Sequence, residues 1–543
     1  MESIAIVLVL LVAVLVSRAV GRMIPLPLPL PLVQIAFGAV IAWMLDIGIK
    51  LDPKVFFLLF LPPLLFLDGW RIPKDSLFHD AGTVVELAVG LVVFTVIGMG
   101  FFIHWLIPAM PLAVAFALAA VLSPTDPIAV AAIAKRVPVP KRLMHILEGE
   151  SLLNDASGLV CLRFAIAAVL TGTFSLSEAV ATFLWLALGG LAIGAAVAWC
   201  AGRLQQWVAD RYGDDAGSSI LTSLLIPFGA YLLAEHFDCS GILAAVAAGI
   251  TMSYVEDPLR APASTRMRRT VVWDMIQFAA KGTIFVLLGE QLPGIFSGAV
   301  ETIQQTGSHD NPLWLAVYLT AITFALAAAR FAWVWVSLRF TSFRASQPER
   351  RPSWKLVGAT SLAGVKGAIT LAGILTLPLA LADGSPFPAR DLAIFLAAGV
   401  IILSLVLATI GLPLVLRDLE FPETDPAEIE ADRARSAAGT AAIKAIERAL
   451  HEVAEDEADP ELYEQAGTRI LSRYRQRVAR NQSNEDSPES IRQARAIEKR
   501  LAHIGLRAER EEVLRLARNG HLGDEAVRKL VREIDLSEAR LEA

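Results

Sequence analysis

Long apolar runs follow one another along most of the chain. A helix needs about 20 apolar residues to cross the roughly 30 Å hydrocarbon core of a bilayer. Through residue 417 such runs fall at about 3–17, 31–46, 54–70, 81–107, 111–134, 144–170, 177–201, 217–236, 239–254, 271–290, 312–338, 354–380 and 389–416, predicting about 13 transmembrane helices. The ninth run is short and rich in Gly and Ala, which suits a helix covered by protein rather than by lipid. Residues 4–16 lack a basic leader and a small-residue cleavage site, so they read as an uncleaved first span. Beyond Arg417-Asp418 the pattern changes to Leu, Ile, Val and Ala at helical spacing among charges, over 427–455 and 491–516, with a linker at 481–488. The expected organisation is an all-α polytopic membrane domain at 1–417 and a cytosolic helical tail at 418–543.

Charge supports this division. The chain is 55% hydrophobic and 19% charged, with mean hydropathy +0.55. Charge density is about 13% before Asp418 and about 39% after it, which excludes a single soluble domain. Neither part is strongly basic, which argues against a nucleic-acid binder. Alternate connections between runs hold about 19 Lys and Arg, against about 3 in the intervening ones. By the positive-inside rule the N-terminus is outside and the C-terminal tail cytosolic, in a cell (inner) membrane. Cys161, Cys200 and Cys239 are too dispersed for a disulfide framework or a zinc site and are expected as buried small hydrophobes.

Against this apolar background nine ionisable residues stand inside the runs: Asp68, Glu86, Asp126, Glu150, Asp155, Arg163, Lys281, Arg330 and Lys366. One such group at the bilayer centre costs about 2.5–3.5 kcal/mol, so nine facing lipid would cost on the order of 25 kcal/mol. That exceeds the typical net stability of about 5–15 kcal/mol. They must therefore face one another or water, which points to ion or proton transport. Lys281, Arg163 and Glu86 are expected in structural pairs with partners the spacing does not name. His104 and His145, near run ends, are expected at the interface.

The densest stretch is Glu148-Gly149-Glu150-Ser151-Leu152-Leu153-Asn154-Asp155. Residues four apart share a helix face, so Ser151 and Asp155 line one stripe, with Glu150 and Asn154 on the adjacent one. The first stripe offers hard oxygen ligands suited to a small cation. The second offers a carboxylate free to pair with a basic residue. The alternative is a buried helix–helix hydrogen-bond network. In the fifth run, Ser123-Pro124-Thr125-Asp126-Pro127 should interrupt the helix, because each proline lacks an N–H and clashes one turn back. The carbonyls of Ala120 and Ser123 would be freed, and Asp126 could balance the positive helix ends; a simple kink is the alternative. Gly364-Val365-Lys366-Gly367 in the twelfth run suggests a second interruption. An odd offset of seven runs makes the two interrupted helices antiparallel, as an inverted repeat requires. Residues 31–38 and 242–249 add a weak internal similarity. Asp68 reads equally as an interfacial acid beside Arg71 and as a functional group.

Together, Phe60-Leu61-Pro62-Pro63-Leu64-Leu65-Phe66, Ser123-Pro124-Thr125-Asp126-Pro127, Glu150-Ser151-Leu152-Leu153-Asn154-Asp155 and Gly364-Val365-Lys366-Gly367-Ala368 resemble the sodium/proton antiporters of the monovalent cation:proton antiporter-1 family, bacterial relatives of animal sodium/hydrogen exchangers. The resemblance implies two crossed interrupted helices, and a homodimer in the membrane. It implies that Asp155 takes the cation and the proton by turns, and that Ser151 and the Thr125 carbonyl help coordinate Na⁺. Asn154 and Asp126 belong to the same site. Asp68 lies near the ion path, and Glu150 pairs with Arg330 to brace the site. The family's glycine-flanked basic residue is usually arginine, where this chain has Lys366. Lys281 replaces a small or neutral polar residue. Asn154, where electrogenic relatives carry a second acid, implies electroneutral one-for-one exchange of Na⁺, or of K⁺ or Li⁺, for H⁺, serving pH and sodium homeostasis. No cofactor and no enzymatic activity are expected. A proton-coupled carrier of another small solute is the alternative. It would call for aromatic or amide side chains at the interruptions, and none stand there.

Overall fold

A computed structural model describes residues 2–23, 28–45, 53–71, 89–126, 141–171, 176–213, 215–256, 263–306, 311, 313–344, 354–381, 384–416, 426–453, 465, 467–476, 488–519 and 524–542. The apolar part consists of α1 (Glu2–Met23), α2 (Leu30–Leu45), α3 (Pro53–Arg71), α4 (Leu91–Leu106), α5 (Leu112–Leu122), α6 (Lys141–Thr171), α7 (Leu176–Tyr212), α8 (Ala216–His236), α9 (Gly241–Val255), α10 (Ala263–Thr306), α11 (Leu313–Arg344), α12 (Trp354–Leu362), α13 (Ala368–Leu375) and α14 (Arg390–Leu416). No strand occurs among the described residues; one isolated bridge joins Ala380 and Pro386. Among the described residues six helices are both long and apolar enough to cross a membrane, and shorter apolar helices accompany them. Glu86, Pro127, residues 481–487 of the expected linker, the change of pattern at 417–418 and the side chain of His145 lie outside the described residues, and Pro488 at the linker's end begins a helix.

Hydropathy marks the part of a helix that crosses lipid, not where the helix ends. The run at 271–290 lies within a helix of 44 residues, and the run at 177–201 within one of 37. Both helices continue past the apolar stretch on polar turns, whose backbone hydrogen bonds persist in water. The twelfth run, by contrast, is divided between α12 and α13, as its glycines suggested.

Small residues bring helices into backbone contact. A Cβ on Gly38 of α2 would collide with the Val286 carbonyl of α10, and one on Gly289 of α10 with the Ile35 carbonyl of α2. The same contact recurs between α9 and α3. There a Cβ on Gly249 would collide with the Phe66 carbonyl, and one on Gly69 would lie 2.7 Å from the Val246 carbonyl. The second and tenth runs thus meet as the ninth and third do, which is the reciprocal packing an inverted repeat produces. It gives the similarity of 31–38 to 242–249 a structural meaning. As expected for a covered helix, α9 buries Ala244, Ala245 and Ala248 completely.

Cysteine burial departs from the expectation. Cys239 is buried, Cys161 is half-buried and Cys200 is exposed on α7. Trp185, Leu188 and Trp199 of the same helix are exposed too. An apolar sequence does not distinguish a lipid-facing side chain from one covered by protein.

Unit 1 spans Met1–Leu419 and unit 2 Glu420–Ala543. Unit 2 contains α15 (Pro426–Val453), α16 (467–476), α17 (Pro488–Arg518) and α18 (Asp524–Glu542). Arg475 of α16 pairs with Glu447 of α15 at 2.7 Å. Arg510 of α17 holds Asp535 of α18 at 2.7 Å and also pairs with Glu538.

Candidate functional site

The two interruptions cross. Helix α5 ends at Leu122, and Ser123–Asp126 are not helical. Pro124 cannot donate a backbone hydrogen bond, so the Ala120 carbonyl is left to the Ser123 hydroxyl, which donates to it at 2.9 Å. On the other strand of the crossing, residues 363–367 separate α12 from α13. The Asp126 N–H donates to the Val365 carbonyl at 2.7 Å, tying one break to the other. Lys366 reinforces the tie: its Nζ donates to the Ser123 carbonyl at 3.1 Å and to the Pro124 carbonyl at 3.0 Å. The Ser123 carbonyl freed by sequence is therefore held by an ammonium group. The Lys366 N–H donates in turn to the Ser404 hydroxyl of α14 at 3.1 Å.

Asp126 packs its carboxylate against Gly367, the N-cap of α13, where a Cβ would collide with it. The positive end of α13, in the other interrupted run, thus meets a negative charge, whereas the sequence suggested that Asp126 would balance helix ends within its own run. Behind the crossing lies a cavity of about 50 Å³, whose polar lining includes Thr95, Ser123, Thr323, Ser361, Lys366 and Ser404. A polar space of that size has room for a few waters.

Helix α6 supplies the acidic stretch. Glu150, Ser151, Asn154 and Asp155 are all buried, and the two stripes separate as the spacing predicts. Arg330 of α11 grips Glu150 through both carboxylate oxygens, at 2.5 and 2.9 Å, and its Nε donates to the Thr360 carbonyl at 3.1 Å. Ser151 donates its hydroxyl to the Thr125 carbonyl at 2.7 Å. Asn154 Nδ2 donates to the Thr125 hydroxyl at 2.9 Å, and that hydroxyl donates to Glu150 at 3.3 Å. The network that could have accounted for all four polar residues of α6 therefore absorbs Glu150, Asn154 and Ser151 but leaves Asp155 out. Its carboxylate accepts no hydrogen bond from a described residue, while Asp126, Asp68, Lys281 and Lys366 all lie within electrostatic reach. Asn154 Oδ1 is also buried without a partner among the described residues.

The remaining intramembrane charges divide into pairs and loose groups. Arg163 pairs with Glu235 of α8 at 2.5 Å, the structural role expected for it. Arg71 does not pair with Asp68; it holds Asp274 of α10 at 2.5 Å and Gln277 at 3.3 Å. Asp68 instead sits among Lys281, Asp126 and Arg71, with Lys281 the strongest charged influence on it. Lys281 departs from the expected structural pairing, with no ion pair within 4 Å to a described residue. His104 meets the Met110 carbonyl through Nδ1 at 2.8 Å, at the end of α4. Sequence reasoning missed Glu235, Ser404 and the buried Glu290. Glu235 and Glu290 fall at the edges of their apolar runs, where acids usually face water, and a serine gives no hydropathy signal at all.

Comparison with known proteins fits this geometry. A family model described as the transmembrane part of the sodium/hydrogen exchanger matches residues 6–418. The chain belongs to the sodium/hydrogen exchanger family. Within it, the uncharacterised Na⁺/H⁺ exchanger YjcE of Escherichia coli strain K12 is 39% identical over 552 residues, covering 100% of this chain and 99% of that protein. The sodium, potassium, lithium and rubidium/H⁺ antiporter of Bacillus subtilis strain 168 is 37% identical, over 98% of this chain and 77% of that one. The sodium proton antiporter MjNhaP1 of Methanocaldococcus jannaschii shares the fold with TM-score 0.57 at 20% identity, over 77% of this chain and 99% of that chain. Members of this exchanger family are multi-pass membrane proteins that handle monovalent cations and protons.

Proposed function

We propose that this exchanger carries Na⁺, or K⁺ or Li⁺, against H⁺ one for one, with Asp155 as the group that both cargoes share. The observation that carries this reading is the unclaimed Asp155 carboxylate, buried beside two crossed chain breaks. Ser151 and the Thr125 carbonyl supply further hard oxygens within the same hydrogen-bonded stretch. Asp155 bound to Na⁺ or to a proton is neutral and can be exposed on the other side of the membrane. Empty and charged, it is held back by the cost of moving a bare carboxylate through a dry barrier. Competition for one carboxylate couples the two flows.

Charge balance supports the stoichiometry. Lys281 lies within electrostatic reach of Asp68 and Asp155, Lys366 within reach of Asp155, and Asp126 stands beside these acids, while Glu150 is neutralised by Arg330. Counted with all of these groups ionised, one negative charge is left over, which one Na⁺ or one H⁺ neutralises. The relatives are named for exchange of alkali cations against protons, which favours this reading over carriage of another solute. The proposed setting is a homodimer in the inner membrane, N-terminus outside and tail cytosolic, supporting pH and sodium homeostasis, with 1–417 carrying transport and 418–543 a separate helical domain. The decisive experiment uses proteoliposomes with an imposed Na⁺ gradient. Wild type should acidify or alkalinise the lumen at a rate independent of membrane potential, and Asp155→Asn, though folded, should move no protons. Retained exchange in that variant would overturn the assignment.

A further inference from the structure

Lys281 stands out among the charges near the site because no described residue holds it. It lies in the middle of α10, half-buried, and makes no hydrogen bond or ion pair within 4 Å with a described residue. Its surroundings can be placed by register. The Arg71–Asp274 pair and the Arg71–Gln277 bond fasten the C-terminal end of α3 against α10. One turn back along α3 from Arg71 is Asp68. Two turns forward along α10 from Asp274, on the same face, is Lys281. Helical side chains lean toward the N-terminus of their own helix, so the four-carbon stem of Lys281 reaches back over the turn that holds Gln277, to the level of Asp68. The neighbouring position, Gly282, faces Val14 of α1 and Gln34 of α2, which leaves Lys281 the face turned toward α3. Lys281 lies within electrostatic reach of Asp155 as well. The ladder therefore runs from a half-exposed pair, Arg71–Asp274, inward through Asp68 and Lys281 to the transported ion's carboxylate.

From this arrangement, and resting on the antiporter reading above, we infer that Lys281 is a tethered cation that competes with the transported ion for the Asp68–Asp155 carboxylates and so sets the exchanger's cation affinity. Its ammonium has the charge of Na⁺ but cannot leave. With no hydrogen bond to a described residue, it can withdraw toward the Arg71–Asp274 end when an alkali cation arrives. It thereby raises the concentration of cation needed to fill the site.

The test is the Na⁺ dependence of two signals, the thermal unfolding midpoint in detergent and the exchange rate in proteoliposomes. Wild type is compared with Lys281→Gln, Lys281→Met and Lys281→Arg. Removing one nearby unit charge should lower the half-saturating Na⁺ concentration about tenfold in both signals, with no rise in maximal rate. Lys281→Arg, which keeps the charge, should stay near wild type. Half-saturation unchanged in both neutral variants overturns the proposal, and so does an arginine variant that behaves like the neutral ones. Failure of both neutral variants to fold while Lys281→Arg folds would make Lys281 a structural counter-charge and overturn it too. If wild type itself responds to none of Na⁺, K⁺ and Li⁺, it is the antiporter reading that fails, and this proposal falls with it.

Discussion

Glu150 and Arg330 make the price of a buried charge concrete. Glu150 is 0% exposed, and the guanidinium of Arg330 satisfies both of its oxygens. Removing one partner of a buried pair leaves the other uncompensated, which costs about 3–5 kcal/mol. Arg330→Ala should therefore lower the unfolding midpoint sharply in a detergent melt. Asp155→Asn should not lower it, because Asp155 gives up no hydrogen bond with a described residue. An equal loss in both variants would place Asp155 in the structural network instead. At this scale much was legible beforehand. The two stripes of α6 follow from spacing alone, and so does the freeing of the Ser123 carbonyl by Pro127. The partner of Glu150 lies 180 residues away, a separation no periodicity reveals, and only the resemblance to known antiporters suggested it. That Lys366 would hold two carbonyls rather than a carboxylate was not legible, since the sequence shows the ammonium but not the backbone that crosses it.

Among the elements, the glycines do what hydropathy cannot record. Gly38 and Gly249 sit where a side chain would strike the carbonyl of a neighbouring helix. Backbone cannot swing aside as a side chain does, so the helices would have to separate and forfeit packing on both sides. Gly229 of α8, by contrast, has open space where its Cβ would be. Gly38→Val and Gly249→Val should each abolish the monodisperse peak in size-exclusion chromatography, while Gly229→Val should keep it. A normal peak for either of the first two would refute the close packing. The apolar runs foretold most of the described helices, and their prolines and glycines foretold the end of α5 at Leu122 and the division of the twelfth run. They did not foretell helix lengths, because a turn that leaves the membrane keeps its hydrogen bonds while losing its hydrophobic signature. In the tail the helices expected at 427–455 and 491–516 form close to those bounds, and α16 and α18 lie outside them.

For the molecule as a whole, the split in charge density is the clearest signal, and the chain divides into two units close to where that density changes. Unit 2 has an acid response of its own. The Arg510 hydrogen bond, aided by His503, holds the Glu538 carboxyl below its usual range. A carboxylate depressed in the folded state contributes stability above its unfolded value of about 4.3, and that contribution is lost as pH falls through the lower folded value. Amide-exchange protection across α17 and α18 should hold at pH 7 and fall as pH drops below about 4.3. Glu538→Gln should start with less protection and change less over the same range; identical profiles would exclude the Arg510–Glu538 contact as a latch. Unit 1 is constrained in another way. An amide-to-carbonyl bond and an ammonium clamp knot its two chain breaks together, and Arg330 pins α6 to α11 and α12 beside them. Parts so fastened travel together. If the cargo is to see first one compartment and then the other, this knot must ride as a single carriage, and the sliding must happen along the helices that run past it.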